Sequence, residues 1–261
     1  MIRNWTKNDH AWDKLFKKYK ILDFINEEDF FEITSKQINE FREARLMTKF
    51  DQKSNLPILF KQHNLSILPT SRGSYVIGRF KAYEDIQYDK NIEPIEFNLV
   101  DNFEGLDLNN LYSEASALHA VHLGNIMSDI VGEQAYPIIS GRMSTGEFSF
   151  KIASDSKKLF PIDVSNSQCE IDAGYETATK LLLVEAKNFE VDNFVIRQLY
   201  YPYRLWENRV NKEVIPIFFT YSNDIFSFFI YEFASKYEYN SLQLVEQKRY
   251  TPKQDPITID D

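Results

Sequence analysis

A chain of 261 residues is long enough to bury a full core, and a composition that is 43% hydrophobic and 15% aromatic excludes a disordered protein. The single cysteine, Cys169, excludes an intramolecular disulfide, and no stretch has the length and apolarity of a membrane span, so the chain reads as cytoplasmic with no membrane partner. The net charge of −9 excludes a uniformly basic nucleic-acid binder but is unevenly spread: residues 1–90 carry 16 Lys+Arg against 13 Asp+Glu, a net +3, and residues 91–261 carry 14 against 26, a net −12.

In chain order, Trp12, Leu15, Phe16 and Tyr19 recur at helical spacing, and a second apolar patch follows over 21–25. The stretch Ile33-Thr34-Ser35-Lys36-Gln37-Ile38 offers an N-cap that opens a helix to about Met47. Arg42, Arg45 and Lys49 then stand at i, i+3 and i+7, which places three cations on one face of that helix or just past its end. A solvated helix surface is the ordinary alternative. Residues 65–70 and 74–80 read as two strands joined around Ser71-Arg72-Gly73, a hairpin with an arginine at its tip. Helices followed by a basic-tipped hairpin have the order of a winged helix-turn-helix module, although the same pattern also serves as a packing layer. The acidic stretch 81–105 reads as a connection. The expected division is a DNA-binding module over 1–100 and a second domain over 101–261.

A long helix is expected over 109–132, with Leu111, Ala115, Leu118, Val121, Leu123 and Ile126 on its apolar side. Gly141-Arg142-Met143-Ser144-Thr145-Gly146 reads as a flexible loop that could offer Arg142 and Ser144 to a DNA groove, or as an ordinary turn. Strand-like runs follow over 147–152, 159–164, 169–175 and 180–187. A helix over 193–208 contains Pro202, which should kink or shorten it. Two apolar strands, 214–221 and 225–233, flank Ser222-Asn223-Asp224. These elements predict an α/β (α+β) fold with a central mixed sheet flanked by helices.

The most informative stretch is Cys169-Glu170-Ile171-Asp172-Ala173-Gly174-Tyr175, followed by Leu181-Leu182-Leu183-Val184-Glu185-Ala186-Lys187. In a strand alternate side chains share a face, so Glu185 and Lys187 project together while Val184 and Ala186 point the other way. Ionised groups emerging from so apolar a run need a partner, and a metal ion with a phosphate supplies one. Asp172, on the preceding strand, can return to the same spot.

Asp172 followed by Glu185-x-Lys187 resembles the active-site signature of the PD-(D/E)XK nuclease superfamily, which includes most type II restriction endonucleases. The match departs from the signature in that Ile171 stands where a proline precedes the aspartate. The resemblance implies a restriction-endonuclease-like core and a Mg²⁺-dependent, sequence-specific endonuclease of double-stranded DNA that belongs to a restriction system and acts as a homodimer. Carried over residue by residue, Asp172 and Glu185 become metal ligands and Lys187 the water-positioning cation. Ala186, between them, joins the metal set, and Glu170 and Glu114 are auxiliary acids. Glu114 is also readable as an ordinary helix carboxylate. Gln198 and Tyr201, on the next helix, face either the site or the core. His119 and His122, spaced i, i+3, read as a core or surface pair. Two alternatives stand: a repair or structure-specific nuclease on the same core, and a non-catalytic winged-helix DNA-binding regulator.

Overall fold

In the computed structural model, which describes residues 4–100, 103–108 and 110–253, the chain begins with a reciprocal cap. The Thr6 hydroxyl accepts the Asp9 N–H while the Asp9 carboxylate accepts the Thr6 N–H, and this opens α1 (Lys7–Tyr19). Lys20, in the left-handed region at φ 51°, ends α1 and turns the chain into α2 (Ile21–Glu28). After β1 (Phe30–Thr34), Thr34 and Gln37 form a second capping box at the start of α3 (Ser35–Ile38).

The expected helix to Met47 does not continue past α3. The Asn39 side chain accepts the Ala44 N–H at 2.7 Å, a local bond that competes with the helix, and α4 (Ala44–Met47) starts there as a separate turn. Arg42, Arg45 and Lys49 therefore do not share one helix face. The unit closes with α5 (Ile58–Gln62) and the hairpin of β2 (Ser66–Pro69) and β3 (Ser74–Gly78), in an antiparallel sheet ordered β1-β3-β2. Its core is built around Trp12, Phe16, Met47 and Phe60.

The expected connection over 81–105 carries two strands, β4 (Tyr83–Asp85) and β5 (Ile95–Phe97), which pair with strands of the C-terminal half. Phe80, Ala82 and Phe97 are buried in cores of that half, so the structural division falls near Gly78 and not after residue 100. Asn109, where the long helix was expected to begin, lies outside the described residues. The helix itself is two, α6 (Glu114–Leu123) and α7 (Ile126–Val131), broken where Asn125 takes a left-handed φ of 55°.

At Gly124 a Cβ would stand 2.4 Å from the Phe97 ring and 3.1 Å from the Ala120 carbonyl. Gly124→Ala is therefore expected to lower thermal stability by about 1–3 kcal/mol, as overpacking does. An unchanged melting temperature would show that the Phe97 ring yields freely.

Strand β6 (Tyr136–Ser144) follows, then β7 (Glu147–Ala153), β8 (Leu159–Ser165), β9 (Gln168–Glu176) and β10 (Lys180–Lys187). Arg142 and Ser144 thus lie on a strand, not on a loop. Gly141, at φ 100°, absorbs a register shift that lets β6 keep pairing with β9. Residues 193–195, expected as helix, form β11 (Asn193–Val195) against β4, and α8 (Arg197–Glu207) begins only after them. Last come β12 (Glu213–Ser222), β13 (Ile225–Phe233) and β14 (Leu242–Pro252).

The architecture is mixed α/β. A seven-stranded sheet ordered β5-β14-β13-β12-β10-β9-β6 is parallel at β10/β12 and β5/β14 and antiparallel elsewhere. Helices α6 and α7 cover one face, where Val121 and Ile126 join a core with Val184, Ala186 and Phe219. On the other face Leu199, Tyr200 and Tyr201 of α8 share a core with Phe218, Phe229 and the β7/β8 hairpin, which stands apart as its own two-stranded sheet. Leu68 and Val76 of the N-terminal hairpin are buried in this second core, so the two units share it.

Candidate active site

Strand β10 runs through the middle of the sheet, and its apolar sequence follows from burial on both faces. Val184 and Ala186 join the core beneath α6 and α7, so Glu185 and Lys187 emerge on the face covered by α8, as the alternation requires. The antiparallel ladder with β9 ends at Val184 and Ala173. Beyond that pair the Asp172 carboxylate takes the place of a backbone acceptor, and Ala186 N–H donates to its Oδ2 at 2.8 Å. The strands part where the acidic residue stands between them.

The side chains of Glu185 and Lys187 are only 8% and 11% exposed, and Lys187 Nζ donates to Glu185 Oε1 at 2.5 Å and to the Ala186 carbonyl at 2.9 Å. Gln198 Nε2, at the second position of α8, also donates to Glu185 Oε1. Gln198 Oε1 is buried with no hydrogen-bond partner. Glu114, at the start of α6 behind the Ser113/Ser116 cap, approaches Lys187 at 3.8 Å.

Burial dominates the electrostatics. It pushes the Glu185 carboxyl well above the usual carboxylate range, against the pull of Lys187 and with the help of the Asp172 charge. Asp172 and Glu114 are raised for the same first reason, burial. Burial pulls Lys187 down, but Glu185 and Glu114 more than offset it and hold it above its ordinary value. The centre is therefore a cluster of like charges around one ammonium, with a surplus of carboxylates.

Asp172→Asn should raise the melting temperature at neutral pH. A carboxyl whose folded pKa is raised carries a penalty that is absent below its unfolded pKa and complete once pH has passed the folded one. Asparagine keeps an oxygen for the Ala186 N–H and carries no charge. Thermal melts should show the gain at pH 7 and its loss toward pH 4; a variant that melts lower at pH 7 would show Asp172 to be stabilised by its surroundings.

The centre opens into a cleft of about 740 Å³. Asp172, Glu185, Lys187, Glu170, Glu114 and Gln198 line it, and Arg45, Lys49 and Arg72 of the N-terminal unit line it as well. Arg45 is paired with Glu43 at 2.8 Å, whereas Lys49 and Arg72 are exposed, and no salt bridge engages either among the described residues. The remaining residues singled out in the sequence stand elsewhere. Arg42 is half-buried with its Nε unpartnered, Arg142 on β6 donates to Glu170 at 3.2 Å, and Ser144 donates to Asn166 at 3.3 Å. His119 and His122 are exposed on α6. Tyr201 is buried, and its hydroxyl donates to the Pro69 carbonyl, fastening the N-terminal hairpin.

Asp51, Arg197 and Phe189 also line the cleft, and the sequence reading does not single them out. Asp51 Oδ1 lies 4.0 Å from Arg197 Nη2 across the two units, and its charge adds to the upward push on Asp172, Glu185 and Glu114. No sequence signal joins Asp51 to Arg197, because the fold alone brings them together.

A family described as a domain of unknown function, DUF6997, matches residues 78–251, two thirds of the chain. The chain belongs to the DUF6997 family. A second domain of unknown function, DUF6996, matches residues 9–77, so the two matches meet where the N-terminal sheet ends. Searches of curated proteins and of solved structures gave no match. Asp172, Glu185 and Lys187 all lie in the DUF6997 segment, and Arg45, Lys49 and Arg72 in the DUF6996 segment. Among the described residues no helix is long and apolar enough to cross a membrane, and no group of three His, Cys, Asp or Glu side chains converges on one point.

Proposed function

We propose that this chain is a Mg²⁺-dependent endonuclease of double-stranded DNA with a centre of the PD-(D/E)XK type, as in type II restriction enzymes. The observation that carries the reading is the convergence of Asp172 with Glu185 and Lys187 at the parting of β9 and β10, buried and open to a cleft whose other wall carries Lys49 and Arg72. The order of elements supports it in outline: helices α6 and α7, strands β6, β9 and β10, helix α8, then β12 run helix, strands, helix, strand, although the expected strands over 147–152 and 159–164 stand outside the sheet as the β7/β8 hairpin and β6 takes their place. In the N-terminal unit, α5 followed by a hairpin with Arg72 at its tip has the order of a winged helix-turn-helix.

The donor set fits a hard divalent cation. Asp172 and Glu185 supply two carboxylates, and Cys169, whose thiol burial pushes up to about 11, offers no thiolate. Two carboxylates suffice for Mg²⁺, which keeps several waters and takes phosphate oxygens as further ligands. Mg²⁺ held there would polarise the scissile phosphate and ease deprotonation of the attacking water. Gln198 and Lys187 both engage Glu185 Oε1, which holds the carboxylate in one orientation and leaves Oε2 for a ligand. An ammonium has three hydrogens, and Glu185 and the Ala186 carbonyl take two of those on Lys187, leaving the third to orient a water or a phosphate oxygen. One centre per chain hydrolyses one phosphodiester, so cutting both strands at a palindrome takes a two-fold homodimer.

The test is digestion of a plasmid of known sequence. The purified chain should yield discrete fragments in Mg²⁺ or Mn²⁺ and none in excess chelator, and Ca²⁺ should support binding without cutting. Intact plasmid in both Mg²⁺ and Mn²⁺, or cutting undiminished by chelator, would reject the proposal.

A further inference from the structure

We infer that the N-terminal unit holds the same segment of DNA that the catalytic centre cuts, so that scission falls inside its footprint at a fixed position; this rests on the nuclease reading above. A reader and a cutter joined by a flexible tether could act at separate places, but here they are opposite walls of one cleft. Lys49 and Arg72 stand on one wall and Asp172, Glu185 and Lys187 on the other. Lys49 and Arg72 have no acidic partner among the described residues and are free to meet phosphates.

The separation of the walls is fixed by bonds between the units. Val195 N–H donates to the Asp51 carbonyl at 2.9 Å, and Ser165 N–H donates to the Thr70 carbonyl at 2.8 Å. Tyr201 and Tyr83 hydroxyls donate to the Pro69 and Phe50 carbonyls at 2.7 and 2.8 Å. Phe30 and Phe160 meet edge to face across the same boundary. The covalent link offers no slack either. Only residues 79–82 separate β3 from β4, which span at most about 14 Å, and Lys81 N–H is itself bonded to the Ala153 carbonyl.

Phe189 strengthens the assignment. It lies two residues beyond Lys187, is 49% exposed and lines the cleft, an apolar ring left where a bound nucleotide would cover it.

Affinity cleavage tests the inference without relying on the chain's own hydrolysis. In a Cys169→Ala background that keeps the carboxylates of the centre, Ser71→Cys and Phe189→Cys proteins are each coupled to an iron–EDTA chelate and bound in Ca²⁺, which supports binding without cutting, to duplexes selected from a random pool. Both chelates should cut the same duplex within about half a helical turn of each other. Cuts a full turn or more apart, or cuts from the Ser71 position alone, overturn the inference, as does a pool from which no duplex is retained. Coincident cuts together with a parent protein that never hydrolyses DNA in Mg²⁺ would uphold the shared segment and remove the nuclease reading alone.

Discussion

Glu185→Ala and Lys187→Ala proteins are each expected to cut DNA at least roughly a hundredfold more slowly than the parent, as loss of one group that stabilises a transition state commonly does. The two variants should nevertheless differ in stability. Glu185→Ala removes the acceptor closest to Lys187 and leaves a nearly buried ammonium with Glu114 at 3.8 Å, the Ala186 carbonyl and the Asp172 charge. Breaking a buried ion pair costs up to about 3–5 kcal/mol, and the remaining carboxylates soften that loss, so this protein should melt lower by less than that limit. Lys187→Ala leaves three carboxylates without their cation, which favours their protonation over unfolding. Glu185→Gln, which keeps an oxygen for Lys187 and Gln198, should restore the fold without restoring cleavage. Cleavage by Glu185→Gln at the parental rate would show that the pair is structural.

Replacing Arg45, Lys49 and Arg72 together by alanine should weaken DNA binding and flatten its salt dependence, with each lost phosphate contact reducing the slope of log K against log salt by about 0.9. The three should not contribute equally. Arg45 is already engaged by Glu43, whereas Lys49 and Arg72 have no such partner, so most of the loss should come from the last two. Arg42→Ala and Arg142→Ala serve as contrasts, because neither side chain lines the cleft and Arg142 is occupied by Glu170. Electrophoretic binding assays over a range of salt measure both effects. An unchanged slope in the triple variant, or an equal loss in Arg142→Ala, would move the DNA to another face.

The centre was legible in the sequence because its chemistry is written in a two-residue period. Glu185 and Lys187 alternate with Val184 and Ala186, and an apolar run this long buries whichever residues it carries. Asp172 was legible as a strand residue one hairpin away. The helix over 33–47 failed because Asn39 captured the Ala44 N–H, a local bond with no periodic signature. The long helix over 109–132 failed at Asn125, where a left-handed turn beside Gly124 costs little. β6 was missed because Gly141 and Gly146 look like loop punctuation, although Gly141 serves a register shift within a strand. β14 has many exposed positions and is recruited by its partners β13 and β5. The meeting of Asp51 with Arg197, and of the wall carrying Lys49 and Arg72 with the centre, depends on packing between units far apart in the chain.

That Asp172 and Glu185 hold a divalent ion beside Lys187 is tested most directly by titrating Mn²⁺ into the parent and its variants, in the presence of a duplex with an uncleavable phosphorothioate backbone, and reading the bound ion by electron paramagnetic resonance. Binding should be strong in the parent, lost in Asp172→Asn and Glu185→Gln, and kept or strengthened in Lys187→Ala, where a competing cation is gone. Binding that is equal in all four proteins, or absent from the parent, would contradict the assignment.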